Sequence, residues 1–335
     1  MLEFTARRIL YSIPALLLVL VIIFSLVRIT PGDPAVALLG EGATEAQVKA
    51  LREQLNLDLP MHEQFTRYVT GLLHGDLGTS MRTNRPILQE LIQRLPATLE
   101  LALFATLLAL VVGIPLGILS AVYRNSWFDQ AARLFSLVGV SVPAFWFAII
   151  LQIIFALLLG WLPVSGRLDP LVRPETVTGF LILDGLLTGD YDAAKDALRH
   201  ILLPAAVLAA FYGATVARYL RANMLEVLSS DYIRTARGKG LAEVKVLLKH
   251  ALQNAMLPVV TIIGLKFAEL LGGAILTETV FSWPGMGRYM FEAIKVRDYP
   301  VIQGATLVFA TIYMLSSLLV DLFYGVLDPR IRLKG

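Results

Sequence analysis

Residues 231–258 read DYIRTARGKGLAEVKVLLKHALQNAMLP and lie between two long apolar segments of the chain. This stretch carries too many basic side chains to lie in lipid, so it must face water. Two short helical patterns meet at Gly240, where the missing Cβ allows a turn that other residues resist. The sequence therefore predicts a helical hairpin outside the bilayer, with an apolar ridge suited to a groove on another protein. The basic residues are Arg234, Arg237, Lys239, Lys245, Lys249 and His250, and the ridge residues are Leu241, Val244, Leu247 and Leu248.

The composition of the whole chain identifies a membrane protein. Of its 335 residues, 56% are hydrophobic and 16% are charged, and the mean hydropathy is +0.69. The apolar runs lack the alternation of barrel strands, so we predict an all-α polytopic membrane helical bundle. The absence of cysteine excludes disulfides, thiolate metal sites and cysteine nucleophiles. Basic residues cluster beside the apolar runs, so no nucleic-acid partner is predicted.

Six apolar runs predict six transmembrane helices, since about 20 residues cross roughly 30 Å of hydrocarbon. The first run lacks a following small-residue cleavage site and is predicted to be an uncleaved span. Gly113 and Gly117 in the second allow close helix approach. Pro143 in the third predicts a tilt or kink, and Arg218 and Arg221 are expected to end the fourth. The predicted spans are 9–27, 101–122, 134–162, 201–217, 256–277 and 304–327.

Two polar regions extend from this single transmembrane domain, which is predicted to occupy 1–335. Residues 30–97 predict an extracytoplasmic helical insertion, in which Thr44 and Gln47 form a capping box at a helix start. The segments assigned to the inside hold twice as many lysines and arginines as the two shorter outside loops. The hairpin, taken as 228–255, and both termini are therefore predicted to be cytoplasmic.

Motifs for bond chemistry are missing from the sequence. It contains no H-E-x-x-H, no G-x-S-x-G and only four scattered histidines, so no catalytic or metal-binding residue is predicted. It also lacks the G-x-x-x-x-G-K-[ST] loop that cradles nucleotide phosphates. If transport is driven by ATP, the motor is expected to be another chain.

Charged residues inside predicted spans are candidates for a translocation path. Lys266 and Glu269 lie three residues apart and so share one helix face. They either line a path for substrates that carry an amine and a carboxylate, or pair with each other so that the helix can insert, and the sequence leaves both open. Asp321 is a third candidate, although it is expected to pair with cytoplasmic basic residues.

The stretch 277–288, TETVFSWPGMGR, follows the fifth span directly. Its Pro-Gly and Gly-Arg pairs predict a turn. Phe281 and Trp283 are residue types that favour the membrane interface, so we expect them to anchor the segment there.

Several of these motifs resemble one family. Arg234-Thr235-Ala236, followed after three residues by Gly240, resembles the EAA loop of the membrane subunits of bacterial ABC importers. Arg234 stands where glutamate is usual and Gln253 where proline is usual, and the peptide-permease branch is similar at both positions. Residues 7–34, 75–80, 277–288 and 328–334 also resemble the dipeptide and oligopeptide permease family. Within it, the likeness is strongest to the first membrane subunit of the dipeptide permease.

The resemblance implies a type I ABC importer (MetI-like) permease fold in the bacterial inner membrane. It implies a homologous second permease subunit, two ATPase subunits that bind ATP and Mg, and an extracytoplasmic peptide-binding protein, with no cofactor in this chain. The hairpin would couple ATPase closure to alternating access for dipeptides or short oligopeptides. The coupling residues implied are Tyr232, Arg234, Thr235, Ala236, Arg237, Gly240 and Leu241.

Two other functions stay open at this point. Nickel and glutathione importers of the same family look similar, so the cargo could differ. From another class, the chain could be an ATP-independent channel or a membrane scaffold.

Overall fold

The computed structural model describes residues 2–29, 32–40, 42–54 and 56–327, and in these ranges the regular structure is helical apart from one bridge between Thr79 and Pro86. The predicted all-α class is confirmed. Helices α1 to α7 are Leu2–Ile29, Pro34–Leu39, Glu45–Gln54, Met61–Leu73, Ile87–Val122, Trp127–Ser141 and Ala144–Leu151. Helices α8 to α15 are Leu181–Thr188, Tyr191–Leu228, Asp231–Gly238, Glu243–Lys245, Leu252–Gly273, Ile275–Val280, Met286–Lys295 and Tyr299–Leu327, and π-helical turns occupy Gln152–Leu158 and Val246–Ala251.

Long apolar helices follow the predicted order of spans. Four segments are long and apolar enough to cross a membrane, namely α5, α9, Glu243–Leu271 and Tyr299–Val320. Two shorter apolar helices, Ile13–Ile29 and Ala144–Leu158, overlap the runs predicted as the first and third spans. The number of crossings, six, stays a prediction, and residues 328–334 lie outside the described residues.

The α5 and α9 helices pack closely along their lengths, and α9 is the most buried of the four long apolar segments. A Cβ atom on Gly113 would lie 2.7 Å from the carbonyl oxygen of Gly213, and one on Gly117 would lie 2.9 Å from that of Ala217. Real Cβ atoms do not approach backbone oxygens so closely. The G-x-x-x-G spacing therefore lets two backbones touch, as expected of membrane helices.

Helix α9 continues through Arg218 and Arg221 to Leu228, so these residues do not end the helix, and the end of the fourth span at this position stays a prediction. Arg221 donates hydrogen bonds from Nε and Nη2 to the two carboxylate oxygens of Asp129, at 2.6 and 2.7 Å. Asp129 is fully buried in the fold. A bidentate partner satisfies both charges, so the arginine can lie against the bundle without ending the helix.

The third predicted span is two helices. The irregularity predicted at Pro143 is present and is a full break, because α6 ends at Ser141 and α7 begins at Ala144. Pro143 occupies the N-cap of α7 in extended backbone geometry, with φ −61° and ψ 132°. Proline lacks an N–H group and disfavours helical backbone in the residue before it, so the chain breaks here.

The insertion after α1 is attached to the bundle by several contacts, among them hydrogen bonds of Arg28 and Ser80. Its capping box is confirmed, since the Thr44 N–H donates to Gln47 Oε1 at 2.9 Å and the Gln47 N–H donates to Thr44 Oγ1 at 3.4 Å. Arg28 of α1 donates to Gln64 of α4 at 2.8 Å. In the turn before α5, the Ser80 hydroxyl donates to the carboxylate of Asp298 at 2.6 Å, which ties the insertion to the start of α15.

The segment 277–288 lies in the core, so the prediction that its aromatic residues anchor at the membrane interface was wrong. Phe281 and Trp283 are each 1% exposed. The Trp283 indole N–H donates to the backbone oxygen of Ala97 in α5 at 2.9 Å. A buried tryptophan needs such a partner, and α5 supplies it.

Glu278 is the buried acid that holds this segment, and the sequence analysis missed it. Its carboxylate accepts hydrogen bonds from the Thr98 hydroxyl at 2.8 Å and from the Arg288 backbone N–H at 2.9 Å. Burial raises the pKa of Glu278 to about 7, although these two hydrogen bonds oppose the rise. The sequence did contain a signal for this buried acid, because Glu278 lies between two threonines directly after an apolar run.

We expect Gly113→Val to destabilise the protein, because its side chain would meet the backbone of α9. Overpacking a core costs about 1–3 kcal/mol, and the upper end applies where the obstacle is backbone. Thermal denaturation of the detergent-purified protein, followed by size-exclusion chromatography, measures the loss. Val111→Leu, on the exposed face of the same helix, is the control. Equal denaturation temperatures for both variants would contradict the close packing.

The raised pKa of Glu278 predicts a pH-dependent stability. The folded chain holds this proton more tightly than the unfolded chain, so the stabilisation is complete below the ordinary value of 4.5 and is lost as the pH rises through about 7. Between pH 4.5 and about pH 7, the free energy of unfolding of the wild type should fall by roughly 3 kcal/mol relative to that of Glu278→Gln. Denaturation temperatures of both proteins across the interval provide the measurement. Parallel curves would show that folding does not raise the pKa of Glu278.

Candidate functional site

The stretch between α9 and α12 forms the hairpin that the sequence predicts. Helix α10 ends at Gly238, and Gly240 follows with a left-handed backbone, φ +74°. Nothing lies within 4 Å of the position that a Cβ would occupy on Gly240, so the backbone conformation alone favours glycine there. Helix α11 and the π-helical turn then lead into α12.

One face of the hairpin is fixed to the bundle. Ile233 of α10 and Val246 of the π-helical turn are fully buried, in one apolar cluster with Leu220 and Met224 of α9. These contacts join the hairpin to the end of a long helix. A displacement of the hairpin therefore moves α9 as well, since close-packed interfaces transmit motion.

The other face of the hairpin is open and basic. The side chain of Arg234 is 74% exposed, and its contact with Asp231 is a loose 3.4 Å ion pair. Arg237 donates to both carboxylate oxygens of Glu243, at 3.1 and 2.7 Å, and these hydrogen bonds raise the pKa of Arg237. The pair joins α10 to α11 across the Gly240 turn.

The predicted coupling residues divide between these two faces. Ala236 is buried and Leu241 is partly buried in the cluster beneath the hairpin. Tyr232 is exposed, but its hydroxyl accepts a hydrogen bond from Asn254 of α12 at 2.9 Å. The residues open to a partner are Arg234, Thr235, Arg237 and Gly240.

The single apolar ridge predicted for the second half of the hairpin was wrong. Leu241 and Leu247 pack inward, whereas Val244 and Leu248 are exposed. Leu241 lies before α11 begins at Glu243, so it does not follow the helical spacing of the others. The exposed side chains of Val244 and Leu248 form an apolar spot within the basic face.

Lys266 and Glu269 meet on α12 as an ion pair, with Nζ and Oε2 2.5 Å apart. Their side chains are 35% and 55% exposed, and Lys266 Nζ lies 5.9 Å from the centre of the Tyr212 ring. The geometry shows the mutual pairing that the sequence allowed and leaves the substrate role as a prediction. The side chain of Asp321, the third candidate, lies outside the described residues.

The comparisons with known proteins agree with this architecture. Residues 113–333 match the family described as "Binding-protein-dependent transport system inner membrane component", and residues 1–102 match its N-terminal companion family. A structure of the MetNI methionine ABC transporter in an inward-facing conformation resembles the chain with a TM-score of 0.51 at 14% identity, over 72% of this chain and 97% of that one. That likeness supports the predicted MetI-like permease fold.

Curated relatives match almost from end to end. The dipeptide transport system permease protein DppB of Alkalihalophilus pseudofirmus is 48% identical over 99% of this chain and all of its own length. DppB of Escherichia coli K12 is 46% identical over the whole of both chains. The glutathione transport system permease protein GsiC of Salmonella paratyphi A is 41% identical, also over the whole of both. The chain therefore belongs to the family of binding-protein-dependent transport system inner membrane components, as its motifs predicted.

Proposed function

We propose that this chain forms the translocation path for dipeptides and short oligopeptides in an ATP-driven importer. The observation that carries the proposal is full-length similarity at 46–48% identity to dipeptide permease subunits from two distant bacteria. The glutathione permease is a weaker match at 41% identity, and its cargo is itself a modified tripeptide. We therefore rank small peptides first and glutathione second.

Coupling to ATP is assigned to the hairpin. Its exposed basic face and the apolar spot at Val244 and Leu248 are the features a docking surface needs, and its buried face joins it to α9. In this proposal two separate subunits bind ATP and Mg, and their closure pushes the hairpin. This chain performs no bond chemistry. A homologous second permease and an extracytoplasmic peptide-binding protein complete the assembly.

The orientation follows from the same assignment. The hairpin and both termini lie in the cytoplasm, the insertion between α1 and α5 faces the binding protein, and the bundle spans the inner membrane. The excess of lysine and arginine in the hairpin and termini supports this arrangement.

Peptide contact is assigned to the Lys266 and Glu269 pair. Both side chains remain partly exposed although α12 is an apolar helix, so another surface or an aqueous path must solvate them. A zwitterionic peptide carries one group of each sign. When such a peptide binds, its carboxylate can pair with Lys266 and its amine with Glu269. The ion pair within α12 is then replaced by two ion pairs to the peptide, and no charge is left unpaired.

Reversing the charge of Arg234 should uncouple uptake from ATP hydrolysis. Arg234→Glu introduces a negative charge into the exposed basic face without disturbing the buried one, and we expect uptake of labelled dialanine to fall by more than about tenfold, or about 1.4 kcal/mol. Arg173→Glu, in the exposed loop before α8, is the matched control. Immunoblotting checks that both variants reach the membrane. Normal uptake by Arg234→Glu would count against the coupling role proposed for the hairpin.

Exchanging Lys266 and Glu269 tests the peptide contact. The double variant keeps a neutral ion pair, so insertion should be preserved, but the two charges trade places along α12. We expect reduced uptake of dialanine and a changed order of competition between N-acetylated and C-amidated dipeptides. Competition assays in cells measure that order. An unchanged order would leave the pair a purely structural feature of the helix.

A further inference from the structure

A groove of about 360 Å³ runs between α5, α6 and α9 near the end of the bundle that carries the hairpin. This volume falls in the range of about 300–1,000 Å³ that is usual for ligand sites. Most of its wall is aliphatic, with Leu116, Ala132 and Leu137 among the lining residues. Arg133, Arg218 and Arg221 lie together at one part of it. The groove therefore has an apolar body and a cationic region.

The arginines of the groove outnumber the acids that face it. Asp129 is the buried carboxylate there, and its two oxygens are occupied by Arg221. Arg133 lies 3.7 Å from the same carboxylate, with its side chain half exposed. Arg218 is exposed and forms no ion pair with any residue that the structure describes. Three guanidinium groups against one carboxylate leave an excess of positive charge.

Two serine residues with little exposed surface line the same groove. Ser120 is 2% exposed and Ser136 is 8% exposed. Neither hydroxyl forms a hydrogen bond with another described part of the chain, whereas other hydroxyl groups on these helices bond to the preceding turn, as Ser141 does to the oxygen of Leu137. Neither hydroxyl is among the buried polar atoms without a partner, so each oxygen is reachable from the groove and can donate to an acceptor bound there.

We propose that the groove binds one anionic phospholipid. Its phosphate accepts hydrogen bonds from Arg133, Arg218 and the serine hydroxyls, and an acyl chain lies against the aliphatic walls. A transmembrane helix of a partner would cover those walls but would need acidic side chains at the same depth. Basic pockets between helices near a membrane surface are suited to anionic head groups. The assignment does not depend on the peptide cargo or on the coupling role of the hairpin.

Lipid quenching of a single fluorophore tests the proposal. The chain has no cysteine, so Leu137→Cys places one label at the edge of the groove. The full-length protein is reconstituted in phosphatidylcholine vesicles with a minor share of brominated phosphatidylglycerol or brominated phosphatidylcholine. We expect preferential quenching by the anionic lipid, weakened about fivefold by Arg218→Gln and about 25-fold by Arg133→Gln with Arg218→Gln.

Two controls separate this site from general attraction to the membrane. Arg124→Gln removes an exposed charge near the same end of the bundle without touching the groove, and should leave the preference intact. A label at Leu107→Cys, on the exposed side of α5, should be quenched equally by both lipids. Equal quenching at Leu137→Cys would overturn the proposal. So would the absence of quenching by either lipid, which would indicate a protein partner, or displacement by free glycerol phosphate, which would indicate a site for soluble phosphate.

Discussion

The backbone contact between α5 and α9 is the constraint on which the other packing depends. Gly113 and Gly117 bring two long helices to a distance at which no side chain fits between them. In lipid, apolar residues gain little by meeting each other, so such close backbone packing is a main source of helix association. With α9 held against α5, its remaining faces are available to α6, α8 and α12, and all three pack on it.

Buried charges then attach the peripheral segments to this pair. Asp129 and Arg221 join α6 to α9, and Arg167 and Glu100 join the loop before α8 to α5 with an Nη2 to Oε2 distance of 2.5 Å. Glu278 and its partners attach the segment after α12 to the same helix. Asp129 and Glu100 are buried with their hydrogen bonds satisfied, which is the condition under which a charge persists inside a protein. Glu278 is also held by hydrogen bonds, but burial raises its pKa to about 7. Lys266 and Glu269 differ, because their pair remains accessible.

Helix α9 connects the hairpin to the rest of the bundle. Helix α9 begins beside the loop before α8 and ends at the hairpin, so one rigid element passes along the whole bundle. Its far end is packed under the hairpin through Leu220 and Met224. The hairpin is therefore joined to the core through packed side chains.

Periodicity, composition and local spacing determined the all-α membrane class, the capping box at Thr44 and the turn at Gly240. The family was indicated by the resemblance of several motifs, which can also be read directly from the sequence. Helix ends and residue environments depended on the tertiary structure. Arg221 ends no helix because Asp129, 92 residues away, accepts its hydrogen bonds. Trp283 is buried because Ala97, 186 residues away, offers an acceptor. A charge or an indole looks the same in sequence whether it meets water or a distant partner, and only folding brings that partner into contact.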